Sequence, residues 1–180
     1  AGSRLPPTGS PPDGRYRVHK TMGKGRPYLA AYDRSERKTF EIGRGSEGQF
    51  SPDGKWLAYT LGNLVVQAFP DTGTRIQISS RGGAQPRWSR DGTTLFFIAP
   101  DRQLMEVTMA VEGGKLQPGV PRLLFQTRIT APHFPFFQYY VDRKNTRFLI
   151  NSMTPNAPLP LVTNWPATLL KCIAGFYLSF

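Results

Sequence analysis

Ser51-Pro52-Asp53-Gly54-Lys55-Trp56-Leu57-Ala58-Tyr59 is a phrase that this chain of 180 residues writes more than once. Trp88-Ser89-Arg90-Asp91-Gly92-Thr93-Thr94-Leu95-Phe96-Phe97 is a second copy, and Pro11-Pro12-Asp13-Gly14-Arg15-Tyr16 is a shorter third. The Asp-Gly pairs lie 40 and then 38 residues apart. Recurrence at about 40 residues marks a repeat architecture, and that spacing suits one four-stranded propeller blade.

The phrase has a physical reading. Asp-Gly between two strand-like runs is a hairpin signal. Glycine adopts positive φ without steric cost, and an Asp side chain can bond its own backbone two residues on. Pro52 presets φ at the start of the turn. A short run ending in an aromatic precedes each turn (Gln49-Phe50; Pro86-Arg87-Trp88), and a β-prone run follows it (56–60; 95–99). Each unit then continues in the same order. Residues 64–69 and 74–78 supply a third and fourth strand in one unit; 103–107 and 122–125, joined through a turn at Gly113-Gly114, do so in the next. In the first unit, 28–32 and 38–42 take these places. A fourth unit opens at Phe137-Gln138-Tyr139-Tyr140-Val141, with Asp142-Arg143-Lys144-Asn145 where the Asp-Gly turn belongs and 146–150 as the following strand. Asp142 comes 51 residues after Asp91, so this interval holds an insertion, placed at the Pro- and Phe-rich stretch 131–137.

The pattern Pro86-x-Trp88-Ser89-x-Asp91-Gly92-x-x-Leu95-x-Phe97 resembles the repeat of TolB-type propellers, relatives of the WD-repeat class. Further on, Leu104-Met105-Glu106-Val107, Pro121-Arg122-Leu123-Leu124-Phe125, Tyr140-Val141-Asp142, Arg147-Phe148-Leu149-Ile150-Asn151 and the run 160–165 occur in an order that resembles the end of the sensor propellers attached to many bacterial serine/threonine protein kinases. The resemblance covers roughly residues 11–171. It implies a parent protein with a cytoplasmic kinase, one membrane helix and an extracytoplasmic, periplasmic propeller. The chain departs from that pattern in lacking a kinase domain, in holding too few blades for a closed ring, and in its last residues, 172–180, which do not match the usual charged ending.

The expectation is therefore an all-β protein of β-propeller blades, about three full four-stranded blades and part of a fourth, drawn from a larger propeller of about six to eight blades. The blades are expected at about 11–46, 47–84, 85–128 and 136–165, after a flexible N-terminal segment, 1–10, and before a tail, 166–180. Open terminal blade faces normally need a cap, and the chain starts at Ala1 with no signal peptide. Both features favour the C-terminal portion of a longer protein over a complete four-bladed ring. The 18 Gly and 17 Pro fit many turns, and 12 Phe, 7 Tyr and 3 Trp supply packing between blades. The best helical segment, 166–171, is short.

The net charge is +11. A basic chain attracts nucleic acid or anionic membranes, and Arg15, Arg17, Lys20, Lys24 and Arg26 form the densest group. No nucleic-acid motif frames them, so they read as a solvated strand face and no nucleic-acid partner is expected. Cys172 is the lone cysteine and cannot form an internal disulfide. The uninterrupted apolar run after Lys171 has nine residues, against about 20 for a spanning helix, so no membrane span is expected in this chain.

Two motifs come close to chemistry. Gly43-Arg44-Gly45-Ser46-Glu47-Gly48 satisfies G-x-G-x-x-G, but a phosphate-binding version must open a helix, and an Asp-Gly turn follows within five residues. The glycines read instead as a flexible link between one blade and the next. Gly45-Ser46-Glu47-Gly48 misses the nucleophile elbow G-x-S-x-G because Arg44 stands two residues before Ser46. The two histidines, His19 and His133, have no ligand partner at metal-site spacing. Asp13, Asp53 and Asp91 recur at one turn position, which suits capping of backbone donors rather than paired acid–base work. No catalytic residue, cofactor or metal is expected; Asp13, Gly14, Asp53, Gly54, Asp91 and Gly92 are structural turn residues.

Function then falls to surfaces. Propellers present binding loops at the ring face, and an insertion rich in aromatics suits a protein or peptide ligand. His133, Phe134, Phe136 and Phe137 are the candidate contacts, with coverage of a seam between blades as the competing role for the phenylalanines. Three readings follow: the sensor propeller of a bacterial receptor-like serine/threonine kinase, the gating propeller of a prolyl-oligopeptidase-type peptidase, and a stand-alone TolB-like periplasmic scaffold.

Overall fold

The computed structural model describes residues 13–23, 26–70, 73, 75–132, 137–152 and 176–179, with backbone alone at 22–23 and 176–179. Four antiparallel sheets follow one another along the chain. The first holds β1 (Tyr16–Gly23), β2 (Arg26–Asp33) and β3 (Lys38–Arg44). The second holds β4 (Ser46–Phe50), β5 (Trp56–Leu61), β6 (Asn63–Ala68) and β7 (Arg75–Gln77) in that spatial order. The third holds β8 (Ala84–Trp88), β9 (Thr94–Ile98) and β10 (Gln103–Glu112), with β11 (Lys115–Pro118) and β12 (Arg122–Gln126) both paired to β10. The fourth holds β13 (Tyr139–Val141), β14 (Phe148–Asn151) and β15 (Phe176–Ser179). All regular structure among the described residues is β. The chain is an all-β array of propeller blades.

The sheets have no solvent-facing side at their seams. Three apolar clusters lie between consecutive blades. Val18, Leu29, Ala31 and Ile42 of the first blade meet Phe50, Leu57, Tyr59, Val65 and Phe69 of the second. Ala58, Leu64, Val66 and Ile78 of the second meet Trp88, Leu95, Phe97, Val107, Met109 and Leu116 of the third. Phe96, Ile98, Leu104 and Ile129 meet Tyr139, Phe148 and Ile150 of the fourth. Alternate residues of one strand thus enter alternate seams, because successive strand side chains point to opposite faces. Leu57 and Tyr59 face backward and Ala58 forward; Leu95 and Phe97 face backward, Phe96 and Ile98 forward. Strands buried on both faces read as continuous apolar runs, which is why Trp56–Leu61 and Thr94–Ile98 show no polar alternation. Truncating one such fully buried leucine, Leu57 or Leu95, leaves a cavity worth about 2–5 kcal/mol.

The repeated phrase builds the same turn twice. In the second blade the Gly54 N–H bonds the Ser51 carbonyl at 2.9 Å and the Ser51 N–H bonds the Trp56 carbonyl at 2.8 Å. In the third, Gly92 bonds Ser89 at 3.1 Å and Ser89 bonds Thr94 at 2.8 Å. Pro52 and Asp53 are the central turn residues, and Gly54 and Gly92 sit at φ 73° and 75°, where a side chain is penalised. In the fourth blade the Asn145 N–H bonds the Asp142 carbonyl at 3.2 Å, the Asp142 N–H bonds the Arg147 carbonyl, and Asn145 takes φ 59° in place of glycine.

Three features differ from the sequence expectation. The stretch 166–180, expected as a tail beyond the fourth blade, supplies β15, which pairs with β14 in the fourth sheet. β10 runs five residues past Val107, and the Gly113-Gly114 turn closes a hairpin with an additional strand, β11, before β12 begins. Leu116 of that strand enters the seam with the second blade, which rewards the extra pairing with burial. The glycine-rich link 43–48 is packed rather than flexible. A Cβ on Gly45 would stand 2.7 Å from the Tyr59 ring, and one on Gly48 would stand 2.6 Å from Val18 Cγ1. These glycines let consecutive blades approach closely. Residues 1–12, the stretch 166–171 where a short helix is expected, and Cys172 lie outside the described residues.

Candidate functional site

The first strands of the second, third and fourth blades, β4, β8 and β13, each form one edge of their sheet, and they are tied to one another side by side. Glu47, Gln85 and Gln138 occupy one repeat position, four residues before Ser51, Ser89 and Asp142. Glu47 and Gln85 adopt φ 58° and 55°, and the strand register slips at both places, so each is the extra residue of a β-bulge. A bulge turns a side chain out of the pleat and along the sheet edge. Here the Glu47 carboxylate accepts the Gln85 backbone N–H at 2.9 Å, and the Gln85 side-chain oxygen accepts the Gln138 backbone N–H at 2.6 Å. The same position in each blade therefore reaches the same position in the next.

Gln85 is fully buried and all its polar groups are engaged. Its Nε2 donates to the Pro132 carbonyl at 2.8 Å, and its own carbonyl accepts the Tyr139 hydroxyl at 2.8 Å. Burial holds that Tyr139 hydroxyl protonated far above the usual tyrosine range. Glu47 also accepts the Thr60 hydroxyl at 2.9 Å. A parallel tie runs from Gln49, whose Oε1 accepts the Trp88 N–H at 3.1 Å while its carbonyl accepts the Trp88 indole N–H at 3.3 Å.

Arg87 stands beside this relay, at the repeat position of Gln49. Its guanidinium carbon lies 4.2 Å from the Phe137 ring centroid and 5.9 Å from that of Tyr140. Burial lowers the Arg87 pKa, with Tyr139 and Tyr140 opposing the shift. Tyr140 is 53% exposed. A second feature is an open cleft of about 600 Å³ between the link 79–83 and the turn at 99–102, walled by Phe97, Met105, Pro100 and Val120, with Ser79 and Asp101 at its polar side.

Of the residues singled out from the sequence, the six turn residues sit in the Asp-Gly turns. The Ser51 hydroxyl donates to Asp53 Oδ1 at 2.5 Å, and that oxygen accepts the Lys55 N–H at 3.1 Å. Ser89, Asp91 and Thr93 repeat the arrangement at 2.6 and 3.1 Å, and Asp13 accepts the Arg15 N–H at 2.9 Å. The Ser89 hydroxyl, followed by the Thr93 N–H and hydroxyl, lowers the Asp91 pKa. The carboxylates stay within their own turns. Phe137 is half-buried on Arg87, whereas His133, Phe134 and Phe136 lie outside the described residues. Glu47, Gln85, Gln138, Arg87 and Tyr140 escaped the sequence reading. The signal for the first three was their common distance from the turn.

Among the described residues there is no group of three or more His, Cys, Asp or Glu placed to hold a metal ion, and no helix long and apolar enough to cross a membrane. The class of protein defined by four successive blades with inner-edge ties is the β-propeller. The chain is similar to several solved structures. TolB from Acinetobacter baumannii superposes with a TM-score of 0.58 at 15% identity, over 83% of this chain and 38% of that one. A Bacteroides uniformis protein described as a 6-phosphogluconolactonase gives 0.50 at 17% identity, over 81% of this chain and 46% of that one. A protein of Agrobacterium tumefaciens described as TolB gives 0.49 at 17% identity, over 68% and 52%. The chain thus spans about half or less of each of these structures. At such identities the likeness is one of fold. No protein-family model matches the chain, and no curated protein matches it.

Proposed function

We propose that this chain is a non-catalytic recognition and scaffold propeller for a protein or peptide, serving as the extracytoplasmic sensor part of a bacterial receptor-like serine/threonine kinase. The observation that carries the recognition reading is the division of labour at the inner edge. The carboxylates Asp13, Asp53, Asp91 and Glu47 are spent on turns and blade ties. What stands beside these ties is Arg87, half-buried against the rings of Phe137 and Tyr140, with Tyr140 exposed to solvent. Arginine and tyrosine are the residues that dominate binding surfaces. The order of motifs from Leu104 to Asn151 supports the kinase-linked placement.

A stand-alone TolB-like scaffold is the second reading, supported by the superposition on TolB. The gating propeller of a peptidase requires a hydrolase domain bearing G-x-S-x-G beside these blades. The sequence of the same gene upstream of Ala1 tests all three. A kinase domain followed by an apolar span of about 20 residues is expected. A signal peptide with a small α/β domain would move the assignment to the scaffold, and a hydrolase domain would move it to the peptidase.

A further inference from the structure

We propose that Arg87, set against Phe137 and near Tyr140 at the junction of the third and fourth blades, is the anchor for a carboxylate of a peptide ligand. This rests on the peptide-recognition reading above and names its chemistry.

The geometry of β8 sets the residue apart. Trp88 enters the seam with the second blade, so Arg87, its neighbour in the strand, points to the opposite face, toward the fourth blade, where Phe137 and Tyr140 receive it. Aromatic faces attract the cation and fix its plane. They accept none of its in-plane N–H bonds, so a carboxylate would meet the guanidinium at its terminal Nη groups. Arg87 Nε is shut off from solvent with no acceptor. Among the described residues no carboxylate bonds or pairs with the guanidinium.

A cation withdrawn from water without a counter-charge is costly. The repeat shows that the fold does not require it: at the equivalent position of the second blade a neutral residue, Gln49, serves by bonding Trp88. Local rules broken without structural return are expected at functional sites. With no second cation acting on it among the described residues, a planar fork of one charge matches a singly charged carboxylate better than a dianionic phosphate. The exposed Tyr140 ring beside it offers a flat face for the adjoining part of a peptide, and the net charge of +11 favours an acidic partner.

The test is fluorescence anisotropy of a labelled peptide of six glutamates, with a six-glutamine peptide as its neutral counterpart, on the whole chain at about 0.15 M salt. The glutamate peptide is expected to bind saturably. Arg87→Met should weaken it by about tenfold or more, the loss expected for a charge-assisted pair, and Arg87→Lys should weaken it too, because lysine lacks the fork. Arg87→Met should also raise the thermal midpoint, since it removes an unpaired buried charge. Should that variant fail to fold, Tyr140→Ala at an exposed position is expected to weaken binding. Equal glutamate-peptide binding by wild type and Arg87→Met, or by wild type and Tyr140→Ala, would overturn the site in favour of diffuse attraction by the basic surface. Displacement by inorganic phosphate at concentrations where acetate has no effect would overturn the carboxylate assignment. Binding of the glutamine peptide regardless of Arg87 overturns this site while leaving peptide recognition standing; no binding of either probe up to about 1 mM overturns both.

Discussion

The Glu47 carboxylate accepts the backbone N–H of Gln85 at 2.9 Å, and Gln85 treats Gln138 in the same way at 2.6 Å. One repeat position, bulged at φ 58° and 55° in the second and third blades, is thus a bracket that sets each blade's inner strand against the next. The apolar seams are non-directional; the bracket fixes how the sheets are offset.

Gln85→Leu should therefore be among the most damaging single changes. It removes the acceptor of the Gln138 N–H and the donor to the Pro132 carbonyl while keeping the volume. Leaving the buried Gln138 N–H and the part-buried Pro132 carbonyl unpaired costs roughly 2–5 kcal/mol. Glu47→Gln retains an acceptor and should cost about 1 kcal/mol or less. Urea unfolding of both variants at neutral pH checks the ranking.

The turns differ in how they share work, and the variants should show it. Asp53 accepts the Lys55 N–H while Ser51 accepts the Trp56 N–H. In the fourth blade one oxygen, Asp142 Oδ1, accepts both corresponding donors, Thr146 and Arg147. Asp142→Ala should then destabilise more than Asp53→Ala, which costs about 1 kcal/mol. Gly54→Val forces a β-branched residue to φ 73° and should cost about 1–3 kcal/mol. Thermal melts of the three variants give the order, and peptide binding at saturating protein should be unaltered in each.

Gly48→Ala places a methyl 2.6 Å from Val18 Cγ1, between the first and second blades. Overpacking of this kind costs about 1–3 kcal/mol. Val18→Ala alone leaves a cavity, but in the double variant the new methyl occupies part of it. A double-mutant cycle by urea unfolding should show a favourable coupling; strict additivity would mean that the blades separate instead of clashing.

Acid should weaken the first blade early. The Asp33 side chain is buried, and Arg15 donates to it from Nε at 2.9 Å and from Nη2 at 2.8 Å; the Ser35 hydroxyl and the Ser35 and Glu36 N–H groups also donate. The Arg15 bonds foremost, against the effect of burial, hold the Asp33 carboxyl well below its usual value, and Asp91 is lowered mainly by Ser89. A carboxyl whose folded pKa is depressed contributes stability above its unfolded pKa, about 3.9, and loses it as the pH falls toward the folded value. The thermal midpoint should be level above about pH 5 and fall below about pH 4. Asp33→Asn should lower the plateau and flatten the acid limb.

The blade pattern was legible from the sequence because its signals are local. An Asp-Gly or Asp-x-x-Asn turn needs a few consecutive residues, and so does a strand buried on both faces. β11 was missed because Lys115–Pro118 is short and polar in sequence, and its pairing depends on the hairpin with the far half of β10. The inner-edge relay was missed for a related reason. Glu47, Gln85 and Gln138 differ in type and stand in unremarkable local company, so only alignment on the following turn reveals their common position.

The sequence by itself determined the repeat length, the position of each Asp-Gly turn, the antiparallel order of strands and the all-β class, because these follow from φ preferences and side-chain alternation within a few residues. The tertiary structure decided which residues meet across seams: that Gly48 must admit Val18, that Glu47 reaches Gln85, and that Arg87 faces Phe137 and Tyr140 with no carboxylate beside it among the described residues. Those contacts join residues about 30 to 55 positions apart, a distance at which loop closure costs entropy whatever the sequence between. Only the packing of whole blades repays that cost, and so only the assembled fold selects the partners.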